Sequence, residues 1–396
     1  GGGALVPIYV LISGFKPSAA IPLSKATILG GAISNLILNW PKRHPTADRP
    51  LIDFHLAALF VPTQLVGTMV GVLCNKTWPD WLIYILLVVF LTWLTRITIQ
   101  KGLIIHRAEV GVVHEEDTEV LLSGQPKDTT SDYLVEQADV AAQRRRHIDN
   151  VGGAEMKALI DLESRPPWRK LILLGCLWLF IVVIALVKGG EGGSIADVTC
   201  GSALYWLLFL IPFPVIITVV LYLGKMLREM HDKKEELGYI PEPGDVVWNK
   251  ENSMVYPAIN IMVGFGAGSL GIGGGTMTGP LMLHLKMIPP VVSATAAFMI
   301  LFTSSITTSQ FIIFGTLEPS YGSWFCMFGF LSSFVGQTLM AMVLKKYKKQ
   351  SVVVFCISGI LGLSAVLLGI QGVVTVIRDL ELNVPMGFRP LCGASV

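Results

Sequence analysis

The chain has 396 residues, of which 52% are hydrophobic and 15% charged, with a formal net charge of +2. Soluble domains carry about 25% charged residues, so a soluble globule is excluded, and the near-neutral balance leaves no basic footprint for nucleic acid. The charges cluster between long uncharged runs, and apolar runs of about 18 or more residues read as membrane spans.

In chain order, full spans are expected at 18–39, 51–73, 79–99, 169–187, 201–224, 254–272, 291–314, 320–344 and 351–377. Two other apolar stretches, 4–15 and 276–288, are shorter than the roughly 20 residues an upright span needs. Each follows a glycine triplet, Gly1-Gly2-Gly3 and Gly273-Gly274-Gly275. Gly1 to Gly273 and Pro17 to Pro289 share an offset of 272, and Val66-Gly67 lies 269 residues before Val335-Gly336. The chain therefore carries an internal duplication. The run 254–272 precedes the second triplet, nothing precedes the first, and the chain opens without methionine. A leading span and any signal peptide are expected to be missing.

This gives a first, N-terminally truncated repeat at 1–99, a cytoplasmic polar insert at 100–168 and two connecting helices at 169–227. A cytoplasmic loop at 228–253, a second repeat at 254–377 and a polar tail at 378–396 complete the chain. Lysine and arginine mark cytoplasmic loops. They gather at 40–50 (Lys42, Arg43, Arg49), in the insert (Arg144, Arg145, Arg146), at 225–253 (Lys225, Arg228, Lys233, Lys234) and at 345–349. The alternate loops 74–80, 188–200 and 315–319 are poor in bases. All basic loops share one side if each long run crosses once and each triplet hairpin returns to its starting side. An odd number of crossings then separates the hairpins, so the copies face opposite ways. The fold class is an all-α polytopic membrane protein of two inverted repeats, with about nine full spans and two glycine-broken half-helices. Inverted repeats with broken helices are a transporter architecture, with the solute site near the midplane.

Backbone N–H groups exposed by a break must meet protein, water or a solute. The N-terminus of the following half-helix, expected near Ala4 and Thr276, is a ready anion site. The candidate solute-binding residues are Gly1, Gly2, Gly3, Gly273, Gly274, Gly275 and Thr276, joined by Lys25 and its neighbours Ser24 and Asn35. A lysine inside a span costs about 2.5–3.5 kcal/mol on insertion scales. Lys25 is read as a cation for the anion, as a snorkelling lysine, or as half of an internal salt bridge with Asp53 the candidate partner. Its counterpart is Ala297, so its role is asymmetric. The second copy offers hydroxyls instead: Thr295 and Ser304 as candidate ligands, within a set that includes Thr303, Ser305, Thr307, Thr308 and Gln310. Such groups line a pathway or bond their own backbone.

Gly266-Ala267-Gly268-Ser269-Leu270-Gly271 matches a dinucleotide fingerprint but lacks the strand that motif requires. Gly264 and Gly268 read better as close helix packing. No P-loop, nucleophile–base set or zinc spacing stands out, and His55 and His284 are isolated, so neither an enzyme nor a cofactor is expected. Cys74, Cys200 and Cys392 fall in loops on one face, where a disulfide among them is open. The insert 106–168, with Thr118, Ser123 and Thr129–Ser131, reads as a tether or as a regulatory segment.

The two glycine breaks followed by Pro7 and Pro280, the helix "LSKATILGGAISN" and the stretch from Lys42 to Asn75 resemble the sulfite exporter TauE/SafE-like family, especially plant-type members. The resemblance covers all but 106–168. It implies an integral membrane exporter of small sulfur-containing anions such as sulfite or organosulfonates. The expected partners are a small anionic solute and the bilayer, with a proton or ion as coupling species. The alternative is a non-transporting scaffold or sorting protein that uses the insert.

Overall fold

The structure, a computed structural model, describes residues 2–45, 47–110, 155, 159, 161, 163–189, 198–239, 244–271, 274–285, 287–347, 350–382 and 387–391. Its principal helices are α1 (Gly2–Leu11), α2 (Pro17–Asn39), α3 (Phe54–Thr77), α4 (Asp80–Val110), α5 (Trp168–Lys188) and α6 (Ala203–Leu210). They continue with α7 (Pro212–Glu236), α8 (Asn252–Leu270), α9 (Gly274–His284), α10 (Pro289–Ile313), α11 (Pro319–Tyr347) and α12 (Gln350–Glu381). Among the described residues no strand forms; one isolated bridge pairs Arg43 with Pro50. Eight helices in this set are long and apolar enough to cross a membrane, with α6 and α7 taken as one.

Local chemistry sets the helix starts. Pro17 and Pro289 each occupy the first turn of their helices, where a missing N–H costs nothing and a fixed φ favours entry. Asp53 delays α3 beyond the expected 51. Its carboxylate accepts from the backbone N–H of His55 and Leu56 at 3.0 Å each, a capping arrangement worth about 1 kcal/mol. The expected run 201–224 is divided at Ile211, because Pro212 offers no N–H and crowds the preceding turn. Both half-helices start two residues earlier than expected, at Gly2 and Gly274, so the last glycines of each triplet are helical.

The duplication is visible in the packing. Helices α1–α4 correspond to α9–α12, with α1 on α2 as α9 is on α10. Helix α2 also lies against α10, and α4 against α12, each a pairing of counterparts. Helix α8 packs along α3 through small residues. A Cβ on Gly264 would collide with the Gln64 carbonyl oxygen, and one on Gly268 would lie 2.5 Å from that of Thr68. The G-x-G-x-x-G stretch is thus a helix-packing surface, in which small residues let two backbones approach where lipid gives no hydrophobic drive.

Loops of like composition meet at the same end. At the basic end, Arg43 donates to the Ser164 carbonyl at 2.8 Å, Arg49 pairs with Asp245 at 2.6 Å, and Lys234 with Glu163 at 2.6 Å. At the opposite end, Lys76 Nζ lies 3.5 Å from the Phe314 carbonyl, and Lys188 Nζ sits 5.1 Å from the Phe314 ring centroid. Arg389 pairs there with Asp80 at 2.5 Å. Cys200 is disulfide-bonded, Cys74 is a free thiol inside α3, and Cys392 lies outside the described residues.

Candidate functional site

Helix α8 stops at Gly271, whose φ of +70° is left-handed. Glycine adopts that conformation without a Cβ penalty, so it closes the helix. The Ser24 hydroxyl donates to the Gly271 carbonyl at 3.3 Å, and Ile21 packs against the same glycine. The second copy's break therefore lies against α2 of the first copy. Helix α9 restarts at Gly274, beside Gln64 near the middle of α3. A Cβ there would sit 2.5 Å from Gln64 Nε2. Gly275 meets Ile300, near the middle of α10. Gln64 Nε2 donates to Thr278 Oγ1 at 2.9 Å, and Thr278 Oγ1 to the Gly274 carbonyl at 2.8 Å. These bonds fix the first turn of α9 within the hydrocarbon layer.

The half-helices run in opposite directions. Helix α9 descends to the basic end, where Ile288, at the start of α10, packs against Gly244. Helix α1 leads through Lys16 to the start of α2, and α2 finishes at the basic end, with Trp40 5.7 Å from Phe54. Tyr9, near the end of α1, shares a 2.7 Å hydrogen bond with Thr27 of α2. Each half-helix thus starts inside the bundle and leaves toward a different face.

The expected site residues fall into two groups. Lys25 is 1% exposed on α2 and adjoins Ser24, which bonds Gly271 at the second break. Asp53, proposed as its partner, caps α3 instead. Trp40 of α2 is level with Phe54, and Lys25 lies about 22 Å away along the axis, at 1.5 Å per residue. Gly274 and Gly275 join the central group. Thr276 is in the first turn of α9, but its side chain, like Gly1 and Gly273, lies outside the described residues. Gly2 and Gly3 open α1.

Three expected ligands stand apart. The Thr295 hydroxyl accepts the Asp53 N–H at 2.9 Å, toward the basic end. Asn35 donates to the Gly31 carbonyl at 2.9 Å and accepts from Gln337 of α11. Ser304 donates to the Ile300 carbonyl at 2.6 Å. Thr303 and Thr307 also bond their own helix backbone, and Ser305 receives the Trp178 indole N–H at 2.8 Å. Most of the hydroxyl cluster is therefore internal to the protein.

Sequence reasoning passed over the polar face of α3. Gln64, Thr68 and Asn75 are buried and point at α8 and α9. Asn260 of α8 reaches back to the Phe60 carbonyl at 2.6 Å. Buried atoms without a protein partner include Gln64 Oε1, Asn260 Oδ1, Ser34 Oγ and Gln310 Oε1. An unmet buried acceptor costs about 1–3 kcal/mol, and burial in hydrocarbon makes such a set a candidate solute path. Its signal in the sequence is polar residues recurring at helical spacing in an apolar run.

The basic end holds a second polar site, a cavity of about 360 Å³ bordered by His44, Arg49, Asp53, Lys234, Tyr239 and Asp245. The Tyr239 hydroxyl donates to Asp245 Oδ2 at 3.1 Å. Burial and the neighbouring Asp245 carboxylate hold the Tyr239 phenol well above its usual range. The Asp245 and Asp53 carboxylates outweigh burial and raise Arg49 further, so it stays a cation. Burial and the Arg49 charge lower His44 to about 4, so its imidazole is neutral near pH 7. His55 is not isolated, as its Nδ1 lies 2.5 Å from Lys170 Nζ. Among the described residues no group of His, Cys, Asp and Glu is arranged to hold a metal.

Comparison with known proteins agrees with this architecture. The profile of the sulfite exporter TauE/SafE family matches residues 164–377. Sulfite exporter TauE/SafE family proteins 1 and 2 of Arabidopsis thaliana are each 30% identical to this chain, over 99% of it and 83% of their own lengths. Family protein 3 of the same plant is 28% identical over 99% of this chain and 78% of its own length. No solved structure matches the chain significantly. The chain belongs to the sulfite exporter TauE/SafE family, and is an integral, multi-pass membrane protein of transporter rather than enzyme class.

Proposed function

We propose that the protein moves a small sulfur-containing anion, sulfite or an organosulfonate, across the membrane by rocking of its two inverted repeats. The observation that carries this reading is the seating of the break between α8 and α9 against α2, where Ser24, next to the buried Lys25, bonds the Gly271 carbonyl. A half-helix start offers N–H donors and positive partial charge to an anion, and Lys25, 1% exposed in mid-span, adjoins the serine that bonds the residue ending α8. A compact oxyanion is the solute such a pairing suits. The unmet polar atoms of Gln64, Asn260 and Ser34 extend the polar set along the same helices. The two repeats proposed as the moving halves are 1–99 and 254–377, with 169–227 connecting them. The basic end is the cytoplasmic face by the positive-inside rule. The names of the Arabidopsis relatives favour sulfite within the small-anion class.

Uptake of labelled sulfite into proteoliposomes preloaded with sulfite tests this directly. Counterflow is expected for sulfite and small sulfonates, and its absence for every small anion tried would refute the proposal. Gly274→Leu is expected to abolish counterflow, because its side chain must occupy the place of the Gln64 amide. Normal flux in that variant would remove the break from the solute path.

A further inference from the structure

We propose that Arg49 is a receiving site for the anion at the basic end, and that Asp245 occupies it as an internal latch while the site is closed. The inference rests on the anion-transport reading above and adds to it a second site, outside the membrane-spanning helices and apart from Lys25.

Arg49 is carried by a built loop. The backbone N–H of His44 donates to the Arg49 carbonyl at 2.9 Å, that of Leu51 donates to the Lys42 carbonyl at 3.1 Å, and Arg43 bridges Pro50. The loop joins α2 to α3, within the first repeat. Asp245 belongs to the segment leading into α8, at the entrance to the second repeat. Their 2.6 Å ion pair therefore ties the first repeat to the loop that leads into the second, at the wall of the cavity. A guanidinium presents a rigid fork of donors, and oxyanions bind it in the same bidentate geometry as carboxylates. Sulfite and the Asp245 carboxylate are thus chemical equivalents toward Arg49, and one can exchange for the other. Tyr239 holds Asp245 from the other side at 3.1 Å, a partner the carboxylate retains after leaving Arg49. Lys234 is paired separately with Glu163 at 2.6 Å, and His44 is neutral near pH 7.

The cavity leads inward to a second barrier. Phe54 borders it and packs edge-to-face on Phe298 at 5.3 Å, which packs on Phe302 at 5.2 Å. Thr295, bonded to the Asp53 N–H, lies on the basic-end side of Phe298 and Phe302, which reach the middle of α10. An ion pair between the first repeat and the loop into the second, with an aromatic layer behind it, is a gate in two stages. Exchange at Arg49 loosens the first stage and leaves the anion above the second.

The test is a comparison of Arg49→Gln with Asp245→Asn in the full chain, with sulfite as probe. If the pair were merely structural, both variants would lose the same interaction and behave alike. Exchange predicts opposite effects. Arg49→Gln is expected to raise the KM for sulfite presented at the basic end about tenfold, with kcat largely kept. Asp245→Asn is expected to lower that KM, because Arg49 no longer has a competing carboxylate. Equal shifts in the two variants would overturn the proposal. A second measurement needs neither variant nor flux. Sulfite is expected to protect Arg49 of the wild-type protein from phenylglyoxal, read by peptide mass spectrometry, with uncharged dimethyl sulfone giving no protection. Labelling of Arg49 at the same rate with and without sulfite would overturn the site. Protection at Arg49 without any counterflow would instead refute transport and leave the binding site standing.

Discussion

Helices α2 and α10 occupy equivalent places in the two repeats, start on equivalent prolines, and have been filled in opposite ways. Helix α2 is narrow where its partner crosses. A Cβ on Gly30 would collide with the Cys326 carbonyl oxygen of α11, and one on Gly329 of α11 with that of Thr27. At the matching positions α10 carries Phe302 and Thr303. Helix α2 holds a buried lysine next to the serine that bonds the other repeat's break. Helix α10 has Ala297 at the matching position, and its Ser304 and Thr307 bond their own helix backbone. The duplication kept the backbone path and let the two faces of the site diverge. An inverted pair need not bind its solute symmetrically, and on the proposed reading one repeat supplies the cation while the other supplies the half-helix start.

The largest expected effect breaks the spacing on which this difference rests. Gly30→Ala puts a methyl group onto a backbone carbonyl, which cannot yield unless α11 moves. A cost of about 3 kcal/mol is expected, at the upper end for overpacking. Gly31→Ala, one residue on, meets the Ser333 side chain at 3.5 Å and the Gly329 carbonyl oxygen at 3.7 Å, both ordinary contacts, and is expected to change stability by less than about 0.5 kcal/mol. Thermal unfolding of both variants in detergent measures the contrast. Equal melting temperatures would show that Gly30 does not set the approach of α11.

The same contrast explains what could be read from sequence. Spans, the repeat offset, the triplets and the basic loops follow from patterns of about 20 residues, because the bilayer imposes length and polarity locally. Lys25 was legible for the same reason, as a charge in an apolar run attracts notice wherever it lies. Asp53 as its partner was not sound, because their separation depends on where α2 ends and α3 begins. Gln64 and Asn260 were passed over because an amide in a span gains meaning only from the helix opposite. The Arg49–Asp245 pair links positions nearly two hundred residues apart through loops, and no periodicity announces it. Thr295 and Ser304 have the right chemistry for a pathway, yet their hydroxyls meet Asp53 and Ile300 respectively.

A smaller effect sharpens the asymmetry of charge. Lys25→Met keeps the length of the side chain and removes its cation. Sulfite counterflow is expected to fall at least tenfold, about 1.4 kcal/mol of solute interaction, while folded yield stays near wild type. Ala297→Lys in the Lys25→Met background is expected not to restore flux, because it places the cation on α10 and not on α2. Restoration would mean that the two faces are interchangeable. Parallel loss of yield and flux would make Lys25 a structural charge.

The smallest effect concerns the loops that follow the two helices. After α2 the chain takes the long loop bearing His44 and Arg49 at the basic end; after α10 it turns within Phe314–Glu318 at the other end. Only the first contains a titrating group that the fold keeps uncharged. His44 accepts the Ala47 N–H at Nδ1 over 3.3 Å, and burial together with Arg49 lowers it to about 4 from the usual 6.5. Between those values the unfolded chain binds a proton that the folded loop refuses, so stability is complete above pH 6.5 and declines as pH falls toward 4. The penalty at pH 5 is on the order of 1 kcal/mol, from 1.36 kcal/mol per pH unit reduced for partial exposure. Wild-type protein is expected to lose more melting temperature between pH 7 and pH 5 than His44→Gln, whose amide still accepts from Ala47 but does not titrate. Identical losses would assign the acid sensitivity to carboxylates shared by both proteins. A smaller loss in the variant would trace it to the loop that holds Arg49 in place, which the second repeat does not possess.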